Sequence, residues 1–482
     1  MKPLRILIFF LAVFGLLLGM SVIFPKEGIS LGGEMKLRFA SSSALFARDS
    51  AASVYTDSII EHAMVTDDPE SGMIDTSFVH IDTVPNINLD SIIQARIDSL
   101  RKTVYPLEIP KGAGKRLNTF FAAAESSVDH EEVIRILHYG DSQIENDRMT
   151  SLLRYRFQKV FGGSGCGMVP AIPLYFGNPA FREKYEGEWI RYTGFGKRDS
   201  TIDHNCYGLL TCFTAVPSAK EGPLPAVEFE FLPGRRASRF KELNIFLHAY
   251  VDSGMVIAHF NDTITDTIAT LKDGYNHIKR HLDFRAEKVK LEFDLAEGGR
   301  VYGISFDPVA GVQVDNIAMR GSSGLEFSRT DRTVLDTMLH AVNPGLIIMQ
   351  FGGNVVPYMT NAAFYKGTFK RELKILRIIS PGTPIIVIGP SDMSTKEDGL
   401  LTTYSTLEPV RNALREAALE TGCTFWDMYA AMGGRNSIQD FVAADPPLAT
   451  SDYIHFTPRG ANLLAGMFFD AVMLEYGKYR SQ

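Results

Sequence analysis

Ser142, Asp452 and His455 are residue types that together suit one chemistry. Ser142 stands in RILHYGDSQIEND (135–147), where a short apolar run stops at Gly140 and Asp141 and Ser142 follow. Asp452 precedes His455 by three positions in SDYIHFTPRG (451–460). A serine hydroxyl attacks a carbonyl carbon when a base takes its proton, and an imidazole serves as that base when a carboxylate holds its other ring nitrogen. That is acyl transfer through an acyl-serine. The oxyanion it creates needs N–H donors, and three are at hand: the Ser142 backbone, the Asn354 carboxamide in LIIMQFGGNVVPY (346–358), and a glycine of VDNIAMRGSSGLEF (314–327).

Taken singly, these features are ordinary. Gly, Asp and Ser are common turn and helix-cap residues, and a DxxH pair arises by chance. Their order along the chain and their positions at strand ends give them weight. The run VIRILHY (133–139) is short, β-branched and followed by the helical spacing of RMTSLLRYRFQKVF (148–161), which predicts strand, tight turn and helix. Near the C-terminus LIIMQF, PIIVIG and CTFWD read as further buried strands, alternating with the helix-like AAFYKGTFKRELKILRII and TLEPVRNALREAALETG. Such alternation implies a parallel sheet covered on both faces, with ligands at the carboxyl ends of its strands. A helix is expected from about Pro458. Between 168 and 307 the helical pattern gives way to strand-like runs such as AVEFEFL, ELNIFLHAY and KVKLEFDL, which predicts an inserted all-β sandwich.

These motifs resemble the SGNH, or GDSL-type, hydrolase superfamily. GDSQ (140–143) resembles its first block, RGSSG (320–324) the second, GGN (352–354) the third and DYIH (452–455) the last. The resemblance implies a flavodoxin-like three-layer α/β fold, Ser142 as nucleophile, His455 as base and Asp452 as its orienting acid. It also implies an oxyanion hole of the Ser142 backbone, Gly324 and Asn354, with Gly324 fitting the second block better than Gly321. The extended stretch from GDSQ to GCGMVP is similar to a bacterial branch of peptidoglycan O-acetylesterases and related acetyl-transferring proteins. Two departures stand out: Gln143 replaces the commoner Leu or His, and Val355 follows Asn354 where relatives carry a carboxylate.

The resemblance implies an exported carbohydrate O-acetylesterase acting on an acetylated envelope glycan. The rival readings are an O-acetyltransferase using the same triad and a catalytically silent glycan-binding protein. No cofactor is called for. With 49 basic and 56 acidic residues, net charge −7, the chain has no basic stripe to suit nucleic acid.

Lys2 and Arg5 precede an uncharged run of 19 residues from Ile6 to Phe24, close to the roughly 20 that span a bilayer. The expectation is a signal anchor or signal peptide over 1–27, with the rest of the chain periplasmic or otherwise outside the inner membrane. A Ser-, Asp- and Thr-rich tether follows over 28–110, then the hydrolase in two parts, 111–167 and 308–482, around the insert of 168–307. Four cysteines leave open a hairpin bridge between Cys206 and Cys212 or four buried thiols. Asp141, Glu145 and Asp147 read as solvated helix-start carboxylates rather than a metal site. Trp189, Tyr192 and Phe195 read as core or hairpin residues before sugar platforms.

Overall fold

The computed structural model describes residues 104–175, 177–216, 223–250 and 254–482, together with the backbone of two short strands. The chain divides into two units, Met1–Asp57 and Ser58–Gln482. In the first, Ile29–Gly32 and Met35–Leu37 pair antiparallel. The expected anchor over 1–27 and most of the expected tether lie outside the described residues.

Five short, β-branched runs form the parallel sheet of the second unit: β1 Val133–Gly140, β2 Gly311–Ala318, β3 Pro344–Gln350, β4 Ile385–Ile388 and β5 Thr424–Trp426. Their spatial order is β2-β1-β3-β4-β5, a doubly wound arrangement whose direction of winding reverses beside β1. Side chains alternate between two cores. Ile136, Ile348 and Ile386 pack with α1 (Ala113–Ser126), α2 (Thr150–Phe161) and the last helix, α6 (Pro458–Arg480). Leu137, Ile347 and Val387 face α3 (Arg332–Val342), α4 (Ala362–Ile379) and α5 (Leu407–Glu420). Because both faces are covered, β3 and β4 need no polar alternation and read as near-continuous apolar runs, while the polar residues of β1 and β2 are buried or half-buried with partners.

Between β1 and β2 the chain builds two antiparallel sheets. One runs in the order 264–270, 255–260, 288–294, 226–231, 181–186, and the other 274–281, 242–249, 300–307, 212–215, 190–193, with Gly167–Val169 also pairing on 300–307. They share one apolar core in which Phe229 and Phe231 of the first sheet meet Phe306 of the second edge-on at 5.0 and 4.9 Å. Trp189 and Tyr192 pack on Phe293 and Phe213, and Phe195 is buried.

A buried cation joins this β region to the parallel sheet. Arg135 of β1 holds Asp315 of β2 at 2.8 Å and Asp307 of the neighbouring antiparallel sheet at 2.7 Å. Burial opposes its charge, yet the two carboxylates outweigh burial and raise its pKa.

Two expectations need correction, and the choice left open for the cysteines closes on free thiols. The tether does not run to 110: Leu107 is buried in the first core, and Glu108 exchanges backbone hydrogen bonds with Phe425 at the edge of β5. The segment YPLEIP is too short and too Pro-bounded to show a period, so its strand-like pairing depends on the sheet edge that receives it. All four cysteines are free thiols, Cys206 half-buried and the others buried. Asp141, Glu145 and Asp147 are buried rather than solvated, because distant partners compensate them, as the site makes clear.

Candidate active site

The register of the parallel sheet sets the site. Gly140 at the end of β1 pairs with Ala318 on one side and Gln350 on the other, so three segments leave the sheet at one level. Met319 N–H donates to Gly140 O (2.7 Å) and Asp141 N–H to Gln350 O (3.2 Å), lacing those exits together. Gly140 leaves no room for a side chain: a Cβ there would lie 2.9 Å from Ile144 and 3.1 Å from Gln350 O.

Ser142 opens the turn that follows, and its Oγ lies 2.9 Å from His455 Nε2. His455 Nδ1 is 2.7 Å from Asp452 Oδ2. The hydroxyl, imidazole and carboxylate therefore form one hydrogen-bonded chain, in the geometry that activates a serine, with the proton passing from Ser142 to His455 and the carboxylate staying ionised. The last two residues share a tight loop in which Thr450 N–H donates to His455 O and Tyr453 adopts φ 58°. Asp452 Oδ1 accepts from the Thr450 hydroxyl (2.6 Å) and from the Ile454 and His455 amides (2.9 and 3.0 Å). Burial on its own pushes the Asp452 carboxyl up. The bonds from Thr450, His455 and the two amides outweigh that and hold it down at about 2, so it is ionised whenever the base works.

Asp141 lies beneath the nucleophile and is buried. Its carboxylate accepts the Gln143 amide at 3.0 Å and the Gly353 amide, which ties the turn after β1 to the loop after β3. Burial raises its pKa to about 6 against the pull of those amides, His455 and Arg148. Glu145 pairs with Arg320, which also lies over the ring of Tyr175, and Asp147 pairs with Arg154 at 2.6 Å. No group of His, Cys, Asp and Glu suited to a metal occurs among the described residues.

Of the expected oxyanion donors, Asn354 keeps a hydrogen free and Gly324 does not. The Asn354 side-chain amide donates one hydrogen to Ser322 O at 3.0 Å, joining the second-block and third-block loops and leaving its other hydrogen for a ligand. Gly324 does not fit the role assigned to it. Its N–H is taken up by the Ser322 hydroxyl at 2.9 Å, and its Cα faces the rings of Phe351 and Phe369, so it braces the loop from within the core. Gly321 has φ 79°, is exposed, and has open space where a Cβ would stand.

Several site residues escaped the sequence reading. Gln143, noted only as a departure, donates from Nε2 to Ile454 O at 2.6 Å. Arg148 donates to Ser142 O (2.7 Å) and Phe456 O (3.3 Å). Asp141 was read as part of a solvated cluster. The only hint in the sequence was that these polar residues crowd around the nucleophile. Beside Arg148 a groove of about 610 Å³ opens between α2, the start of α6 and the β region, with Tyr155, Asn462 and Arg235 among its walls. That is the size of a small-ligand site.

Residues 297–463 match the family described as GDSL-like Lipase/Acylhydrolase. That segment carries a GDSL-type, or SGNH, hydrolase domain. The chain is an enzyme that hydrolyses ester bonds. The match spans the second and third blocks, Asp452 and His455; the turn bearing Ser142 lies upstream, beyond the β region. Among solved structures, the hydrolase is similar to a peptidoglycan O-acetylesterase, with 20% identity and a TM-score of 0.61, over 78% of this chain and 99% of that one. At that identity the likeness speaks for the fold, β region included. A putative GDSL-like lipase from Parabacteroides merdae (17% identity, TM-score 0.26, 34% of this chain and 74% of that one) shares a smaller part. So does the acetyl xylan esterase AlAXEase (14%, 0.27, 33% and 81%). No curated protein sequence matches the chain.

Proposed function

We propose that this hydrolase is an exported esterase that removes O-acetyl groups from a cell-envelope glycan. The observation that carries the reading is the unbroken chain from Ser142 Oγ through His455 to Asp452, at 2.9 and 2.7 Å, at the carboxyl end of the sheet. Ser142 Oγ attacks the acetyl carbonyl carbon and passes its proton to His455 Nε2. The tetrahedral oxyanion is met by the Ser142 and Gly321 amides and the free hydrogen of the Asn354 amide. His455 then protonates the departing sugar oxygen, leaving acetyl-Ser142, and water repeats the sequence to release acetate.

The substrate class draws support from the groove beside the turn of Ser142, which is large enough for a sugar unit and offers Arg148, Tyr155, Arg235 and Asn462 to it, and from the O-acetylated peptidoglycan in the name of the structural neighbour. Part exposure of Ser142 and His455 gives water a path to the acyl-enzyme. Export rests on the Lys2–Arg5 and Ile6–Phe24 pattern, and anchoring to the inner membrane by that run accompanies it. Among the described residues no helix is long and apolar enough to cross a membrane.

The test is acetate release by the full chain from acetylated peptidoglycan, acetylated xylan and an aryl acetate, with Ser142→Ala as control. Release from peptidoglycan, lost in the variant, supports the reading. Turnover of the aryl acetate alone would remove the glycan from it, and no serine-dependent turnover of any of the three would remove the esterase.

A further inference from the structure

The catalytic serine and histidine lie on segments 313 residues apart in sequence, and a 2.9 Å hydrogen bond between two part-exposed side chains does not by itself hold two loops in register. Two other side chains of the nucleophile turn reach the histidine loop. Gln143, immediately after Ser142, is 7% exposed and donates from Nε2 to the carbonyl of Ile454, the residue before His455. Its second Nε2 contact is to the Ser391 hydroxyl, at 3.4 Å, in the loop after β4. Arg148, six residues beyond Ser142, donates to the carbonyl of Phe456, the residue after His455. The same guanidinium donates to the carbonyls of Ser142 and Glu145, so it grips its own turn while it reaches across. The carbonyl of His455 itself is taken by Thr450 within the loop. Every carbonyl from 454 to 456 is thereby fixed, and the two that flank the base are fixed by the nucleophile's own turn.

We propose that Gln143 and Arg148 are positioning residues that act as a two-point clamp on the histidine loop, setting the distance and angle between Ser142 Oγ and His455 Nε2. Neither hydrogen bond involves a reacting atom. Each constrains the backbone on one side of the imidazole, and the pair together stops the loop from pivoting about either point. Gln143 suits the task because a carboxamide donates without bringing a charge beneath His455. A leucine at this position fills the space without donating, and a glutamate places an acceptor against a carbonyl. Arg148 suits it because the planar guanidinium serves three carbonyls at once, which an ammonium cannot do in that geometry.

The inference rests on the esterase reading of Ser142 and His455, and its test separates the two. Gln143→Leu, Arg148→Met and the double variant are prepared in the full chain. Aryl acetate turnover, labelling of Ser142 by a phosphonate ester and the NMR resonance of the His455 Nδ1 proton are then measured. For each single variant kcat and labelling rate are expected to fall roughly 10- to 100-fold with KM unchanged, the scale on which misplacement of a reacting group is felt. The Nδ1 proton resonance is expected to broaden as the loop gains freedom. In the double variant the losses should fall short of additive, because one released point already lets the loop pivot. Arg148→Lys, which keeps the charge, should restore less than half of the loss. Unchanged kcat and an unchanged resonance would overturn the clamp, as would a rise in KM alone. Should the parent prove inert toward esters while the resonance still broadens in the variants, the clamp stands and the esterase reading fails.

Discussion

The parallel sheet and the antiparallel sheet that contains strands 255–260 and 288–294 use burial in opposite ways. In the parallel sheet both faces are covered, so Ile385–Ile388 is buried at every position and any polar group among its strands must find a built partner. His138, for example, is enclosed between the Thr150 hydroxyl and the Gln350 carboxamide, and burial lowers its pKa to about 4. In the β region the sheet led by 264–270 meets water on one face, whereas strands 242–249 and 300–307 of the second sheet are covered on both. Strands 255–260 and 288–294 alternate buried and half-buried residues, and their charges pair across the outer face, as Lys290 does with Glu186 and Glu292. The contrast teaches where chemistry can be built. Desolvated polar groups held by preset partners are what a catalytic site requires, and they collect where the parallel strands end.

The comparison can be tested from its strongest contrast to its weakest. Ser142→Ala should lower kcat for ester hydrolysis roughly 10⁴- to 10⁶-fold, measured by acetate release, with little change in thermal midpoint. Arg135→Met, at the joint between the two regions, should leave Asp307 and Asp315 buried without their cation and cost about 3–5 kcal/mol in urea unfolding. A cost under about 1 kcal/mol would mean that water reaches that joint. Asn354→Ala should reduce kcat about 10²- to 10³-fold without altering the fold, and an unchanged rate would remove its amide from the oxyanion hole.

The fourth test concerns pH. Asp452 is held at about 2 against an ordinary 3.8, so its ionised form is the one the fold favours. Its contribution to stability is fully present above pH 3.8 and is lost as pH falls through 2. The effect is modest because the side chain is 46% exposed and solvent screens it. Its carboxyl carbon resonance should not titrate between about pH 4 and 7, and Thr450→Val should raise the titration midpoint. Smallest of all, Lys290→Ala on the outer face of the β region should change stability by less than about 1 kcal/mol. A larger loss there would show that the exposed ion pairs matter to the β region after all.

Ser142 and Asn354 were legible as candidates because each follows a short apolar run that marks a strand, and Asp452 and His455 because their three-residue spacing precedes the helix that opens at Pro458. The same holds for α2 and α6, whose helical spacing and, for α6, Pro458 at its start are local features. The choice between Gly321 and Gly324 was not legible. Both suit a turn and both adopt positive φ; they differ in burial and in where the N–H goes, which the packing of Phe351 and the Ser322 hydroxyl decide. The acidic cluster was misread for a related reason. Arg320, which compensates Glu145, lies 175 residues away, and Arg154, which compensates Asp147, is seven away but points back only because α2 packs as it does.

The sequence by itself determined the strands of the parallel sheet, the helices α2, α4, α5 and α6, the order of the sequence blocks and the candidates for nucleophile, base and acid, since these follow from local apolar period and from side-chain chemistry. Only the tertiary structure decided which glycine keeps a free amide, that Leu107 and Glu108 join the fold, and that Gln143 and Arg148 grip the histidine loop from 311 and 308 residues away. Hydrogen bonds at that separation leave no periodic trace. They form only after the sheet has brought both segments to the same level.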